Sequence, residues 1–248
     1  MKWNLHQVSA IILALTVLAL VPTIVDTGLA SAYHFKSRFY IDKWVSEKTI
    51  NKEQFEDAHF AATNANRLDT RNPHYQLTLV KILEWGAYSQ IMPMDIQTAN
   101  ELYQTAIESR RFWPNAYADY AYNLAFYQED IERAWPYLMQ GLRYGGNSPE
   151  VLRQAMAVGF FSWNRLTFQQ KAKILMITEK AFLSVSSLRT SLFQLAGQYQ
   201  LKSVVCTFLL QRSVNFSANE REQLALSMCK QDPNQNATRL AQAQGSIV

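Results

Sequence analysis

The sequence predicts an all-α protein: a solenoid of stacked helical hairpins preceded by one N-terminal transmembrane helix. Three observations predict it. A junction phrase returns three times, as Leu68-Asp69-Thr70-Arg71-Asn72-Pro73-His74-Tyr75, as Arg111-Phe112-Trp113-Pro114-Asn115-Ala116-Tyr117 and as Gly146-Asn147-Ser148-Pro149-Glu150. Pro73 and Pro114 stand 41 residues apart, Pro114 and Pro149 35, and a period of about 34 marks stacked helix–turn–helix repeats. The first 25 residues carry no charged side chain beyond Lys2. Glycine (8) and proline (7) are scarce in a chain of 248 residues, as long helices with short connections require.

Composition narrows the function classes. With 48% apolar and 18% charged residues the chain can bury a sizeable core. A net charge of +4 without any run of five or six basic residues argues against nucleic acid as a partner.

Residues 8–25 are apolar except for Ser9, Thr16, Pro22 and Thr23. At a rise of ~1.5 Å, eighteen helical residues span roughly 27 Å, near the thickness of the hydrocarbon layer. Two fates fit: an uncleaved anchor, or a secretory signal cut at the small-residue site Ala30-Ser31-Ala32. The length favours the anchor, giving 1–32 as the membrane segment and 33–50 as a connector. Charge counting across it, Lys2 against Lys36, Arg38 and Lys43, points the domain inward. A short N-terminal tail ahead of a long folded domain points it outward, and 33–248 is assigned to an extracytoplasmic space.

The helices follow in order. Asn51 caps a helix that carries Ala58 and Ala65 seven apart on one face. Pro73 opens the next, through Tyr75, Leu79, Ile82 and Leu83, because proline fits a first helical turn. After the Pro93 loop, 95–109 carries Ala99, Tyr103 and Ala106. Pro114 opens a helix through Tyr117, Tyr120, Ala121 and Leu124; 131–143 carries Ala134, Leu138 and Gly141, and Gly145-Gly146 stops it. Pro149 begins a third unit through Leu152, Ala155 and Val158, and Thr167 caps its partner with Ile174, Ile177 and Ala181. Repeats are thus expected over 51–183, capping helices over 184–230, and a flexible tail over 231–248.

Ala99-x3-Tyr103-x2-Ala106 and its copy Ala134, Leu138, Gly141 resemble the second helix of a tetratricopeptide (TPR) repeat. Residues Leu68 to Pro73 resemble that family's Leu-Asp-Pro-x-Asn-Pro junction, with Thr70 in place of the first proline. The resemblance covers 52–183; the first helices keep only a degenerate copy of the family signature at Tyr117, Tyr120 and Ala121. In that family the first helix of each pair lines the inner face. The resemblance therefore implies a groove from Lys81, Trp85, Asn115, Tyr122, Phe126 and Arg153, mildly basic and aromatic-edged, suited to an acidic extended peptide or to sugar rings. The alternative is that Tyr122 and Phe126 pack between helices while Lys81 and Arg153 are solvated.

Cys206 and Cys229 lie symmetrically about the capping box Ser217-Ala218-Asn219-Glu220. In a tight helical hairpin such positions face each other, so the pair can close a disulfide; two buried free thiols are the alternative. Catalytic signatures are missing from the sequence: no His pair at i, i+4, no Cys-x-x-Cys, no phosphate loop and no Gly-x-Ser-x-Gly. Glu56-Asp57 and Glu129-Asp130 read as surface or turn residues. The expectation is no enzyme, no cofactor and no metal, with partners being proteins and, through 8–25, the lipid bilayer.

One membrane helix followed by one degenerate TPR domain is similar in layout to VpsP-type proteins of bacterial exopolysaccharide gene clusters. That resemblance implies a single-pass inner-membrane scaffold with a periplasmic domain, supporting exopolysaccharide biosynthesis or export. Two alternatives stand beside it: an assembly factor for another envelope complex (cytochrome maturation, division or secretion), and a glycan-acting enzyme, which needs a carboxylate pair across a cleft.

Overall fold

A computed structural model describes residues 5–229, and among them every regular element is helical. The elements are α1 (Leu5–Glu47), α2 (Lys52–Leu68), α3 (Pro73–Tyr88), α4 (Ile96–Ser109), α5 (Pro114–Phe126), α6 (Ile131–Gly145), α7 (Pro149–Phe161), α8 (Phe168–Phe182), α9 (Ser186–Gln198), α10 (Lys202–Arg212) and α11 (Ala218–Leu224). They form two compact units, Met1–Tyr120 and Ala121–Val248, divided inside α5. The 231–248 tail expected from the sequence lies outside the described residues.

The first unit is built on α1. Its N-terminal part is long and apolar enough to cross a membrane, and none of the apolar stretch is buried. The connector expected over 33–50 is helical as far as Glu47, and it is continuous with the apolar segment in α1. The reason is a seam of packed side chains. Ala30, Ser37 and Trp44 recur every seven residues on α1, and all three are fully buried. Opposite them α2 places Ala58 and Ala65, again seven apart and buried. Ala30 packs with Ala65 and Tyr75, while the Ser37 hydroxyl bonds the Tyr33 carbonyl at 3.0 Å and reaches the Ala58 carbonyl at 3.5 Å. The small side chains of Ala30 and Ser37 on one helix and of Ala58 and Ala65 on the other, running in opposite directions, let the helices approach closely. Trp44 closes the far end, its indole N–H donating to Gln54 Oε1 at 3.2 Å. A polar edge flanks the seam, where Asp57 accepts from Tyr40 at 2.9 Å and pairs with Lys36 at 3.2 Å.

The short connections make α2, α3 and α4 antiparallel neighbours. Asn51 caps α2 through the Gln54 amide, Asn72 caps α3 through His74, and Asp95 caps α4 through Thr98. Gly86 near the end of α3 lies beneath Phe55 at the start of α2; a Cβ there would sit 2.5 Å from the Phe55 ring. The predicted Ala99, Tyr103 and Ala106 are the buried residues of α4.

In the second unit Ala134, Leu138 and Gly141 are buried on α6, and Leu152, Ala155 and Val158 on α7. α6 ends at Gly145, with Gly146 at an ordinary right-handed φ of −64°. Gly146 is there for space, since a Cβ would meet the Leu142 carbonyl oxygen at 2.6 Å. α7 packs on α8 and on α9, and at Gly159 the crossing is so close that a Cβ would lie 2.5–2.7 Å from three carbons of Ile174. Ser217 forms the capping box read from the sequence, and Thr167, read there as a cap, forms a complete capping box with Gln170. α9, α10 and α11 follow, and a π-turn, Ala225–Cys229, extends α11. Cys229 on that turn is joined to Cys206 of α10 by a disulfide with Cα atoms 5.2 Å apart.

Candidate interaction site

In the first unit, Lys81 does not stand as an open cation. Its ammonium binds Glu84 Oε2 at 2.7 Å, and Tyr103 donates to Glu84 Oε1 at 2.8 Å. Glu84 is 2% exposed, and a buried carboxylate needs such partners to offset its lost hydration. Tyr103 in turn stacks on Tyr120, ring centroids 4.9 Å apart. Trp85 packs against Trp44 and, edge-on, against Tyr88. Asn115 is half-buried in the first turn of α5.

In the second unit, Tyr122 and Phe126 stack with centroids 4.1 Å apart, Phe126 stacks on Phe161 at the same distance, and Tyr199 meets Phe161 edge-on at 6.1 Å. All four are half-buried, so the ladder keeps an accessible edge. Arg165 lies over the Phe161 ring at 5.5 Å, fixed by a 2.8 Å bond to the Glu129 carbonyl. Lys171 lies over Trp163 at 5.6 Å. Arg153 is exposed on α7, and its charge, after bonds from Ser148 and the backbone, helps hold Glu150 below the usual carboxylate range. The Tyr199 hydroxyl is pushed up by burial.

Of the residues expected to line a groove, Tyr122 and Phe126 come together. Sequence reasoning missed Phe161, Tyr199 and Arg165. The signal for Phe161 was present: Trp85, Phe126 and Phe161 each stand twelve positions beyond a junction proline, 73 to 85, 114 to 126 and 149 to 161. An aromatic residue thus recurs in the last turn of α3, α5 and α7, a position the junction period itself defines. Arg165 and Tyr199 have no such periodic mark.

A second cluster sits where α1, α3 and the end of α4 meet in the first unit. His34 packs on Tyr75 at 4.9 Å and His74 on Trp113 at 4.5 Å. Arg110 contacts His74 Nε2 at 3.3 Å and covers the Trp113 ring at 5.3 Å. Burial, then Arg38 and His74, lowers the His34 pKa; burial, then Arg110 and Arg38, lowers that of His74. The neutral His74 ring accepts from Arg110. Among the described residues no group of three or more His, Cys, Asp or Glu is placed to hold a metal ion.

Compared with known proteins, the chain matches no family model, and searches of curated proteins and of solved structures give no match.

Proposed function

We propose that this chain is a single-pass membrane-anchored scaffold whose helical domain lies outside the cytoplasm and binds other proteins. The observation that carries it is α1: one helix unites the apolar segment with Ala30, Ser37 and Trp44 in the core of the first unit. Cleavage at Ala30-Ser31-Ala32 would remove Ala30 from beside Ala65 and Tyr75, which favours the uncleaved anchor. The Cys206–Cys229 bridge supports an oxidising compartment, because cytosolic thiols stay reduced. A helix held in the bilayer raises the local concentration of whatever the domain binds at that membrane.

The half-buried ladder of Tyr122, Phe126, Phe161 and Tyr199, with Arg165 across it, is the recognition surface in this reading. Rigid aromatic rings give contact area at low entropic cost, and an arginine beside them selects an acidic or carbonyl-rich chain. The exopolysaccharide setting comes from the resemblance to TPR proteins of VpsP type.

The test is capture from native membranes. Wild-type chain, cross-linked and purified, is expected to bring down a polysaccharide polymerase, flippase or export protein, and Tyr122→Ala with Arg165→Gln to lose it with helical circular dichroism unchanged. Recovery of haem-handling or division proteins instead would move the assignment to another envelope complex. Unaltered capture by the variant would remove the ladder from the proposal.

A further inference from the structure

The first unit holds five arginines: Arg38, Arg67, Arg71, Arg110 and Arg111. Four of them fall on just two helix junctions, α2–α3 and α4–α5. These junctions lie at one end of the unit, since Arg110 touches His74 at 3.3 Å. It is the end from which the apolar part of α1 emerges, because Ala30 packs with Ala65 and Tyr75, with Leu68 beside them. The opposite junctions, 48–51 and 89–95, hold no arginine.

The unbroken helix fixes how far this end stands from the bilayer. From Val25, the last residue of the uncharged stretch, to Ala30 is about 8 Å along the axis. Leu68 lies three residues beyond Ala65 toward the membrane, which brings the α2–α3 junction about 4–5 Å nearer. A bilayer's polar layer is about 5–8 Å deep on each side. Arg67, Arg71, Arg110 and Arg111 are exposed residues, and this spacing brings them to the depth of lipid phosphates when α1 spans the bilayer. Phe112 between two of them is 76% exposed, an apolar ring at the level where aromatic side chains settle in membranes. The carboxylates nearby, Asp26, Asp69 and Glu108, do not balance four arginines.

We infer that the α2–α3 and α4–α5 junctions form a headgroup-binding face that seats the first unit on the anionic lipids of the bilayer α1 crosses. Planar guanidinium groups pair with phosphate oxygens two at a time, and Phe112 enters the interface between them. The domain is thus held at a set height and angle rather than swinging on its anchor. This inference rests on α1 spanning the bilayer.

Hydrogen exchange on the full chain in nanodiscs tests it, comparing phosphatidylcholine alone with discs containing phosphatidylglycerol. Peptides covering 67–74 and 109–114 are expected to exchange more slowly in the anionic discs, and 89–95 to be unaffected. Each single replacement, Arg71→Gln or Arg111→Gln, is expected to weaken the lipid-dependent protection about fivefold. Equal exchange in the two lipids, in chain that has entered the discs, overturns the headgroup face and leaves the anchor standing. Chain that neither enters discs nor floats with vesicles overturns both readings.

Discussion

Ser37 of α1 faces Ala58 of α2 with its hydroxyl 3.5 Å from the Ala58 carbonyl oxygen and no exposed surface. That contact lies at the centre of the seam that turns a membrane segment into part of a folded core. No larger side chain fits between two backbones so close. Ser37→Leu is expected to destabilise the first unit by about 1–3 kcal/mol, the usual cost of overpacking. Ser37→Ala is expected to be nearly neutral, because the hydroxyl's main partner is the Tyr33 carbonyl one turn away on its own helix. Thermal unfolding of the full chain in detergent reads both; a Leu variant as stable as wild type would show that the seam is loose.

Much of this seam was readable from Ala58 and Ala65, but its other half was not. Residues 33–50 mix Phe35, Lys36, Arg38, Lys43 and Trp44 without an obvious apolar face. Their pattern emerges only when Ala30, Ser37 and Trp44 are taken together, across the boundary that hydropathy draws at the membrane. Positions 99, 103, 106 and 134, 138, 141 were legible because residues at that helical spacing share one face, which both helices bury. Glu84, by contrast, carries no sequence sign of burial. Its place is set by Lys81 one turn back and by Tyr103 from the next helix, a tertiary fact. The Phe126–Phe161 stack lies between these cases: the junction period marks both positions, and only the packing of α5 on α7 brings the rings together.

The Cys206–Cys229 bridge ties α10 to the π-turn after α11, residues 23 apart in sequence. By the loop-entropy relation such a closure stabilises its segment by about 3 kcal/mol. Reduction, or Cys206→Ala, is expected to loosen 202–229 while α6–α8 keep their packing. Exchange or limited proteolysis mapped along the chain checks this; equal protection with and without reductant would show that α10 and α11 hold without it. Thiol alkylation of denatured, unreduced protein is expected to label neither cysteine.

At the α7–α8 crossing, Gly159 meets Ile174 with no room for a methyl group. Gly159→Val is expected to cost about 1–3 kcal/mol, the overpacking outweighing the helix propensity gained on losing glycine. Ile174→Val removes one of the clashing carbons, so the pair is expected to recover part of the loss. A double-mutant cycle by denaturant unfolding measures that coupling. Additive effects would mean the two residues relax independently and the close crossing is not what requires glycine.

Acid is expected to weaken the first unit through its buried histidines first. His34, His59 and His74 are all held below the ordinary imidazole value, each chiefly by burial; His34 also by Arg38 and His74, and His74 also by Arg110 and Arg38. The unfolded chain takes up protons near its free value of about 6.5, while the folded chain resists them. Stability is therefore intact above that pH and declines as pH falls below it, until the folded-state histidines also protonate. The depressed carboxylates, Asp57 and Asp95 of this unit and Glu150 and Glu220 of the second, add their own loss at lower pH, beginning in the usual carboxylate range and continuing as pH falls through their lowered folded-state values. Melting temperature followed between about pH 7.5 and 5.5 thus isolates the histidines. Wild type is expected to lose stability across that window, and a His34→Gln, His59→Gln, His74→Gln variant to lose markedly less. A flat wild-type profile, or an equal slope in the variant, would mean that burial does not discourage protonation at these rings.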